Sequence, residues 1–218
     1  MKKNKFFTSF YAWFDMIILD HGFLRLLYHN FHKIDKYMYR SNMPTPNRIK
    51  KYKKMGIKTI INLRGGNKDG GWLLENEACK KNNIKLINFV ARSRSAPEKE
   101  MIKEASILFK NINYPALLHC KSGADRAGII TALYKLLYCK EDPTQAKKQL
   151  SFKFLHIKYA KTGILDKFFE EYETFIKKNK NPQFLDWVET IYDPTKLENE
   201  FRSNTLLNKF LFKILRRE

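Results

Sequence analysis

The chemically informative part of the chain is one short loop, residues 119–128, with the sequence His-Cys-Lys-Ser-Gly-Ala-Asp-Arg-Ala-Gly. A short apolar run before it predicts a buried strand, and an apolar run after it predicts a helix. The first backbone N–H groups of a helix have no partner inside the helix. Together with the positive end of the helix dipole they form a site for an anion. The loop is therefore predicted to hold a phosphate-like group.

Three side chains in this loop suit phosphate chemistry. Cys120 begins the loop in the positive field of the helix, which favours the thiolate and makes the sulfur a nucleophile. Arg126 offers a planar pair of donors that matches phosphate oxygens. Gly123 allows the backbone to curl closely around a ligand. The alternative is a buried structural cysteine beside an arginine that begins a helix.

The pattern of His119, Cys120, five residues and then Arg126 resembles the signature of the cysteine-dependent tyrosine and dual-specificity phosphatases. The resemblance covers about residues 34–176. It includes Tyr-Arg-Ser at 39–41 and Ile-Ile-Asn-Leu-Arg at 60–64, which look like the start of bacterial dual-specificity-type domains. It implies a phosphoric monoester hydrolase that needs no metal or other cofactor.

The resemblance also implies roles for the residues of the loop. The Cys120 thiolate attacks phosphorus and forms a phosphocysteine, which water then hydrolyses. Backbone N–H groups and the Arg126 side chain hold the equatorial oxygens. The phosphate-binding set is then Lys121, Ser122, Gly123, Ala124, Asp125 and Arg126. His119 supports the site by orienting the loop or tuning the thiol.

The chain departs from the family pattern at two places. The family usually supplies an aspartic general acid from an upstream loop, but no Asp occurs between Asp69 and Asp125. The loop expected to hold it, residues 91–98, has only Glu98, which is predicted to begin a helix. Asp125 is therefore the better candidate for the acid, with capping of the helix as its alternative. Ala127 replaces a common Ser or Thr, so the second step is slower or uses another hydroxyl.

Basic residues outside the loop add candidate substrate contacts. Arg64 follows the carboxyl end of a predicted strand, where α/β sheets bind ligands. Arg92 and Arg94 lie in the loop at 91–98 and could recognise a second phosphate or an acidic head group. Arg64 and Arg94 are predicted to bind substrate. A solvated basic surface is the alternative for all three.

Elements of alternating type position these residues. Strands are predicted at 57–63, 84–90 and 115–120, and helices at 46–55, 73–82, 97–111, 126–139, 143–153, 162–179 and 183–191. Strands separated by helices predict an α/β fold with a mostly parallel central sheet flanked by helices. The resemblance implies the three-layer sandwich of dual-specificity phosphatases. An extra N-terminal helix and a C-terminal helical tail complete the prediction.

The charge is concentrated at the ends of the chain. Of a net charge of +20, most lies in residues 1–60, which hold 13 basic and 3 acidic side chains, and in residues 201–218, which hold five and one. Residues 6–31 are aromatic-rich with helical spacing, and residues 206–217 form a basic amphipathic tail. Both suit an anionic membrane surface, although packing of the first segment on the core is an equal alternative.

The domain division that follows is an amphipathic segment at 1–31, a phosphatase domain at 32–180 and a helical basic tail at 181–218. The three widely spaced cysteines exclude a disulfide framework and predict a reducing compartment. We therefore expect a cytoplasmic protein, peripheral on the cytoplasmic face of a membrane if its ends bind lipid. No zinc-finger spacing or basic heptad pattern occurs, so nucleic acid is not expected as a partner.

Three functions remain open at this point. The first is a phosphatase of proteins, of the tyrosine or dual-specificity type. The second applies the same chemistry to a phospholipid or lipid-sugar phosphate at a membrane. The third is a phosphate-binding module with weak or no catalysis, since the upstream acid is missing.

Overall fold

The computed structural model describes residues 28–66, 69–179 and 183–202. Its centre is a five-stranded sheet in the order β1-β2-β5-β3-β4. The strands are β1 His32–Lys33, β2 Met38–Ser41, β3 Thr59–Asn62, β4 Lys85–Asn88 and β5 Ala116–His119. Only β1 runs antiparallel to its neighbour, and the other three pairings are parallel. The predicted α/β fold with a mostly parallel sheet is confirmed.

Helices connect and cover the strands. They are α1 Pro46–Lys54, α2 Gly70–Lys81, α3 Lys99–Asn111, α4 Asp125–Leu137, α5 Pro143–Lys147, α6 Ile164–Lys178 and α7 Phe184–Thr190, and residues 194–202 are also helical. The prediction of one helix over 143–153 is wrong beyond α5. There the chain forms a 3₁₀ helix, Phe152–Phe154, which ends at Leu155 in the left-handed region with φ 64°.

Two apolar clusters place the helices on opposite faces of the sheet. The smaller cluster joins α1 and α2 to the sheet through residues such as Ile49, Cys79 and Ile60. The larger cluster contains buried residues of α3, α4, α6 and α7 and extends to Leu197. Helix α4 is buried along almost its whole length, because other helices cover it on the side away from the sheet. The result is a three-layer sandwich, and residues 184–197 share its core.

The register of the parallel strands aligns their carboxyl ends. Ser41 of β2 and Asn62 of β3 both pair with His119 of β5, and Asn62 pairs with Asn88 of β4. The loops that follow these strands therefore meet at one edge of the sheet, where open α/β sheets place their ligands.

Most of the predicted membrane-binding segment at 1–31 and all of the tail at 206–217 lie outside the described residues. Within the described ranges, no helix is both long and apolar enough to cross a bilayer.

Candidate active site

The phosphate loop, residues 120–126, joins β5 to the first turn of α4. Cys120 is 2% exposed, and the backbone N–H of Gly123 donates a hydrogen bond to its Sγ over 3.2 Å. Ala124 is the N-cap residue of α4 and makes no side-chain capping bond. The loop thus wraps around the sulfur and leads directly into the positive end of a helix. This arrangement favours the binding of an anion.

Gly123 is required by the geometry of this loop. Its φ of 77° lies in the left-handed region, and a Cβ added there would come within 2.7 Å of backbone atoms of Ser41 and Asn42. The loop can therefore pack directly against the end of β2 only because residue 123 has no side chain.

Arg40 of β2 holds the phosphate loop from the interior of the protein, a role that the sequence did not predict. This fully buried side chain donates from Nη2 to the carbonyl oxygens of Gly123 and Ala124, over 2.8 and 2.9 Å. Its Nη1 donates to the backbone oxygen of Gln149 over 2.9 Å. Burial lowers the pKa of Arg40 to about 10, although the nearby Cys120 and Asp125 act to raise it. The group therefore stays cationic at neutral pH. The available signal was an arginine within the segment Met38–Ser41, all of which is buried.

His119 lies at the end of β5 in a buried polar cluster. Its Nε2 is 2.5 Å from Oε1 of Glu75, and both side chains are inaccessible to solvent. The amide of Asn62 donates to the other carboxylate oxygen of Glu75 over 3.0 Å. His119 Nδ1 lies 3.4 Å from the carbonyl oxygen of Cys120. The cluster connects three elements directly behind the nucleophile, which favours the proposed supporting role of His119.

Asp125 does not cap its helix. Its Oδ1 lies 2.7 Å from Nδ1 of His156, and Nε2 of the same ring lies 2.7 Å from Oδ2 of Asp166 on α6. Burial alone would lower the pKa of His156, but the hydrogen bonds to Asp125 and Asp166 outweigh it and raise the pKa to about 9. Neither His156 nor Asp166 was predicted, because they lie 31 and 41 residues beyond Asp125 in sequence.

The predicted arginine contacts have different environments. Arg126 is half-buried at the start of α4, and no hydrogen bond or ion pair of its guanidinium is found among the described residues. Arg64 donates from Nη2 to Asp69 over 2.8 Å and from Nη1 to the sulfur of Met43 over 3.0 Å. Arg94 is exposed in its loop. The phosphate-binding roles of Arg64 and Arg94 stay predictions.

The other two cysteines, Cys79 and Cys139, lie outside the phosphate loop. Burial raises the pKa of Cys79, aided by the charge of Glu75, and burial likewise raises the pKa of Cys139. Both thiols are therefore protonated at neutral pH.

Among the described residues, no group of three or more His, Cys, Asp or Glu side chains is placed to hold a metal ion.

The chain is similar in sequence to known phosphatases. The family described as "DSP-PTPase phosphatase fused to NAD+ Kinase" matches residues 30–163. Inositol diphosphatase DSP4 of Arabidopsis thaliana is 30% identical over 106 residues, which are 46% of this chain and 52% of the relative. Inositol diphosphatase DSP3 of the same plant is 31% identical over 107 residues, or 46% and 51%. The chain thus spans about half the length of these curated relatives.

Two solved structures share the fold. The crystal structure of P. aeruginosa TpbA superposes with a TM-score of 0.52 and 15% identity, covering 79% of this chain and 90% of that one. Tk-PTP in its active form gives a TM-score of 0.50 with 15% identity, covering 65% and 97%. At this level of identity the likeness concerns the fold alone.

Proposed function

Since the chain belongs to the phosphatase family whose model it matches, we propose that it cleaves phosphoric monoesters through a phosphocysteine on Cys120. The hydrolase activity, the covalent intermediate, the roles of the individual residues and the substrate are all part of this proposal. The observation that supports it best is the hydrogen bond from the Gly123 N–H to the Cys120 sulfur at the start of α4.

In the first step, the Cys120 thiolate attacks phosphorus from the base of the phosphate loop. The S–P bond forms while the P–O bond to the leaving group breaks. Backbone N–H groups of the loop and the guanidinium of Arg126 stabilise the charge on the three equatorial oxygens. Asp125 protonates the departing oxygen, because it is the carboxyl group that the loop itself supplies.

In the second step, water attacks the phosphocysteine. The new O–P bond forms, the S–P bond breaks, and Asp125 accepts a proton from the attacking water. Ala127 offers no hydroxyl to assist, so we propose that breakdown of the intermediate limits turnover. The Cys120 thiolate and a proton for the next leaving oxygen are then available for another cycle.

The direct test is phosphate release from 4-nitrophenyl phosphate by the full chain. We expect Cys120→Ser to abolish release, and Cys139→Ser, which alters a thiol with a raised pKa, to retain it. Absence of activity in the unchanged chain would favour the binding module instead. Activity that survives Cys120→Ser would contradict the phosphocysteine.

For the substrate we propose a phosphorylated protein, with an inositol phosphate as second candidate because two relatives are named inositol diphosphatases. Lys121 and Arg126 next to the nucleophile suit any of these anionic groups. A panel of phosphotyrosine peptide, phosphothreonine peptide, inositol phosphates and lipid phosphates compares them directly. If the substrate is a phosphorylated protein, one of the two peptides should give the highest kcat/KM. A higher kcat/KM on an inositol phosphate or a lipid phosphate would contradict this.

The segment at 152–161 favours the membrane-associated alternative. Phe152 is 78% exposed and Tyr159 is 97% exposed, and Leu155 and Ile157 are also exposed. The same segment contains Lys153, Lys158 and Lys161. Asn30 donates to the carbonyl oxygens of Ser122 and Phe154, over 3.0 and 3.2 Å, so this surface borders the phosphate loop. Exposed apolar side chains among lysines fit an anionic bilayer on the cytoplasmic side.

Sedimentation with phosphatidylglycerol vesicles tests this surface. Phe152→Ser combined with Tyr159→Ser should reduce vesicle binding at low salt. The control is Ile107→Ser on α3, which also removes an exposed apolar side chain, 62% accessible. Equal binding by the two variants would remove the structural support for a lipid phosphate as substrate.

A further inference from the structure

The imidazole of His156 is enclosed between two carboxylates. Each ring nitrogen lies 2.7 Å from a carboxylate oxygen, one of Asp125 and one of Asp166, and the ring is inaccessible to solvent. A neutral imidazole has one N–H and can donate to only one of them. With both carboxyls ionised, the geometry therefore requires an imidazolium at this position.

The backbone fixes this ring in place. The His156 N–H donates to the carbonyl oxygen of Ser151 over 3.1 Å, and the hydroxyl of Thr162 donates to the carbonyl oxygen of Ile157 over 3.2 Å. Asp166 lies in the first turn of α6, which begins immediately after this segment. The ring therefore reaches Asp125 from a loop held at both ends.

Other charged groups around the pair are balanced or directed elsewhere. Lys158, in the same segment, pairs with Glu170 of α6 over 2.7 Å. Arg40 of β2 interacts electrostatically with Asp125, but its hydrogen bonds go to the carbonyl oxygens of the phosphate loop. The groups that face the ring itself are Asp125 from α4 and Asp166 from α6. The protonation of His156 is thus governed by the two carboxylates.

We propose that His156 is a positioning residue that stores the proton which Asp125 delivers to the leaving oxygen, an inference that rests on the phosphocysteine chemistry proposed above. Asp166 holds the imidazolium in place through Nε2. A carboxyl group alone is ionised at neutral pH and has no proton to give. A histidine bound to it keeps a proton available there.

The proton balance closes over the two steps. As the P–O bond breaks, the Nδ1 proton moves to the Asp125 carboxyl, which turns about its Cβ–Cγ bond and passes it to the leaving oxygen. His156 is then neutral, with its remaining N–H directed at Asp166. When water attacks the phosphocysteine, its proton moves through Asp125 back to Nδ1. One proton is given and one is recovered in each turnover.

The experiment compares His156→Asn and Asp166→Asn with the unchanged full chain. The asparagine amide keeps an N–H that can reach Asp125, so it can still orient that carboxyl group. It cannot gain or lose a proton near neutral pH, so any further loss of activity reports the storage of the proton. We expect His156→Asn to lower kcat/KM for phenyl phosphate, a poor leaving group, by about 100-fold and to affect 4-nitrophenyl phosphate much less. The basic limb of the pH profile, expected near pH 9, should move to lower pH in both variants.

Two results would overturn the inference. One is a folded His156→Asn protein with unchanged leaving-group dependence and an unchanged basic limb. The other is a His156 resonance that titrates below pH 7 by NMR in the Cys120→Ser chain, a measurement that serves even if His156→Asn does not fold. Failure of the phosphocysteine chemistry is seen separately, as turnover that survives Cys120→Ser.

Discussion

The guanidinium of Arg40 donates from Nη2 to the carbonyl oxygen of Gly123 over 2.8 Å, from the interior side of the phosphate loop. In a trans peptide the carbonyl and the following N–H point in opposite directions. A buried cation that holds the carbonyls of Gly123 and Ala124 inward therefore turns the N–H groups of Ala124 and Asp125 away from Arg40, and the N–H of Ala124 donates to the Ser122 hydroxyl over 3.3 Å. The shape of the anion site thus depends on a residue of β2.

Arg40→Lys tests this dependence. Lysine keeps the charge but cannot donate to Gly123, Ala124 and Gln149 together, so the loop loses its fixed peptide orientation. We expect kcat/KM to fall by about tenfold or more, with weaker inhibition by inorganic phosphate. The control is Arg202→Lys, whose side chain is 73% exposed. Equal kinetics of the two variants would show that the loop holds its shape without Arg40.

Gly123→Ala should damage both stability and activity. Alanine at φ 77° is strained, and its Cβ would lie 2.7 Å from backbone that cannot move away easily. Gly56→Ala is a matched control, because its φ is 85° but nothing lies within 4 Å of the added Cβ. We expect Gly56→Ala to cost about 1 kcal/mol and Gly123→Ala at least about 2 kcal/mol more in urea unfolding. Similar losses in the two variants would contradict the close packing of the loop against β2.

Glu75→Gln addresses the polar cluster behind the nucleophile. The substitution keeps the shape of the side chain but removes its negative charge. It also replaces one of the two carboxylate oxygens that face His119 and Asn62 with an NH₂ group, which cannot accept a hydrogen bond. We expect a loss of about 2 kcal/mol in the free energy of unfolding and a lower kcat. Glu77→Gln, on the exposed side of the same helix, should change neither. An active, fully stable Glu75→Gln protein would remove this cluster from the support of Cys120.

The stability of the fold should depend on pH through His156. Its pKa is raised from 6.5 to about 9 on folding, so it stabilises the folded state fully below pH 6.5 and loses this effect as pH rises through 9. The unchanged chain should therefore lose up to about 3 kcal/mol relative to His156→Asn between pH 6 and pH 10. Urea unfolding of both proteins at each pH measures this. Parallel pH dependence of the two proteins would show that the ring is not charged at neutral pH.

The phosphate loop could be predicted because its signal is local. Cys120, Gly123 and Arg126 lie within seven residues, between a strand and a helix whose apolar patterns are clear. The parallel sheet followed from three β-branched or apolar runs separated by helices. Strand β2 was missed because its four residues include Arg40, and a charged residue argues against a buried strand until its partners are known.

The supporting residues could not be predicted because their contacts span the fold. Glu75 meets His119 only when α2 packs behind β5, and His156 meets Asp125 across 31 residues. The helix predicted over 143–153 ends at Lys147. A separate 3₁₀ helix, Phe152–Phe154, follows and ends at Leu155 in a left-handed conformation, directly before His156. An apolar periodicity shows which residues face inward, but it does not show where a helix gives way to a turn.

The phosphocysteine is tested most directly by rapid acid quenching during turnover of 4-nitrophenyl phosphate, followed by peptide mass spectrometry. We expect a phosphoryl group on the peptide that contains Cys120, formed in a burst before steady-state release and absent in Cys120→Ser. A phosphoryl group on any other side chain, or full turnover without a labelled Cys120, would contradict it.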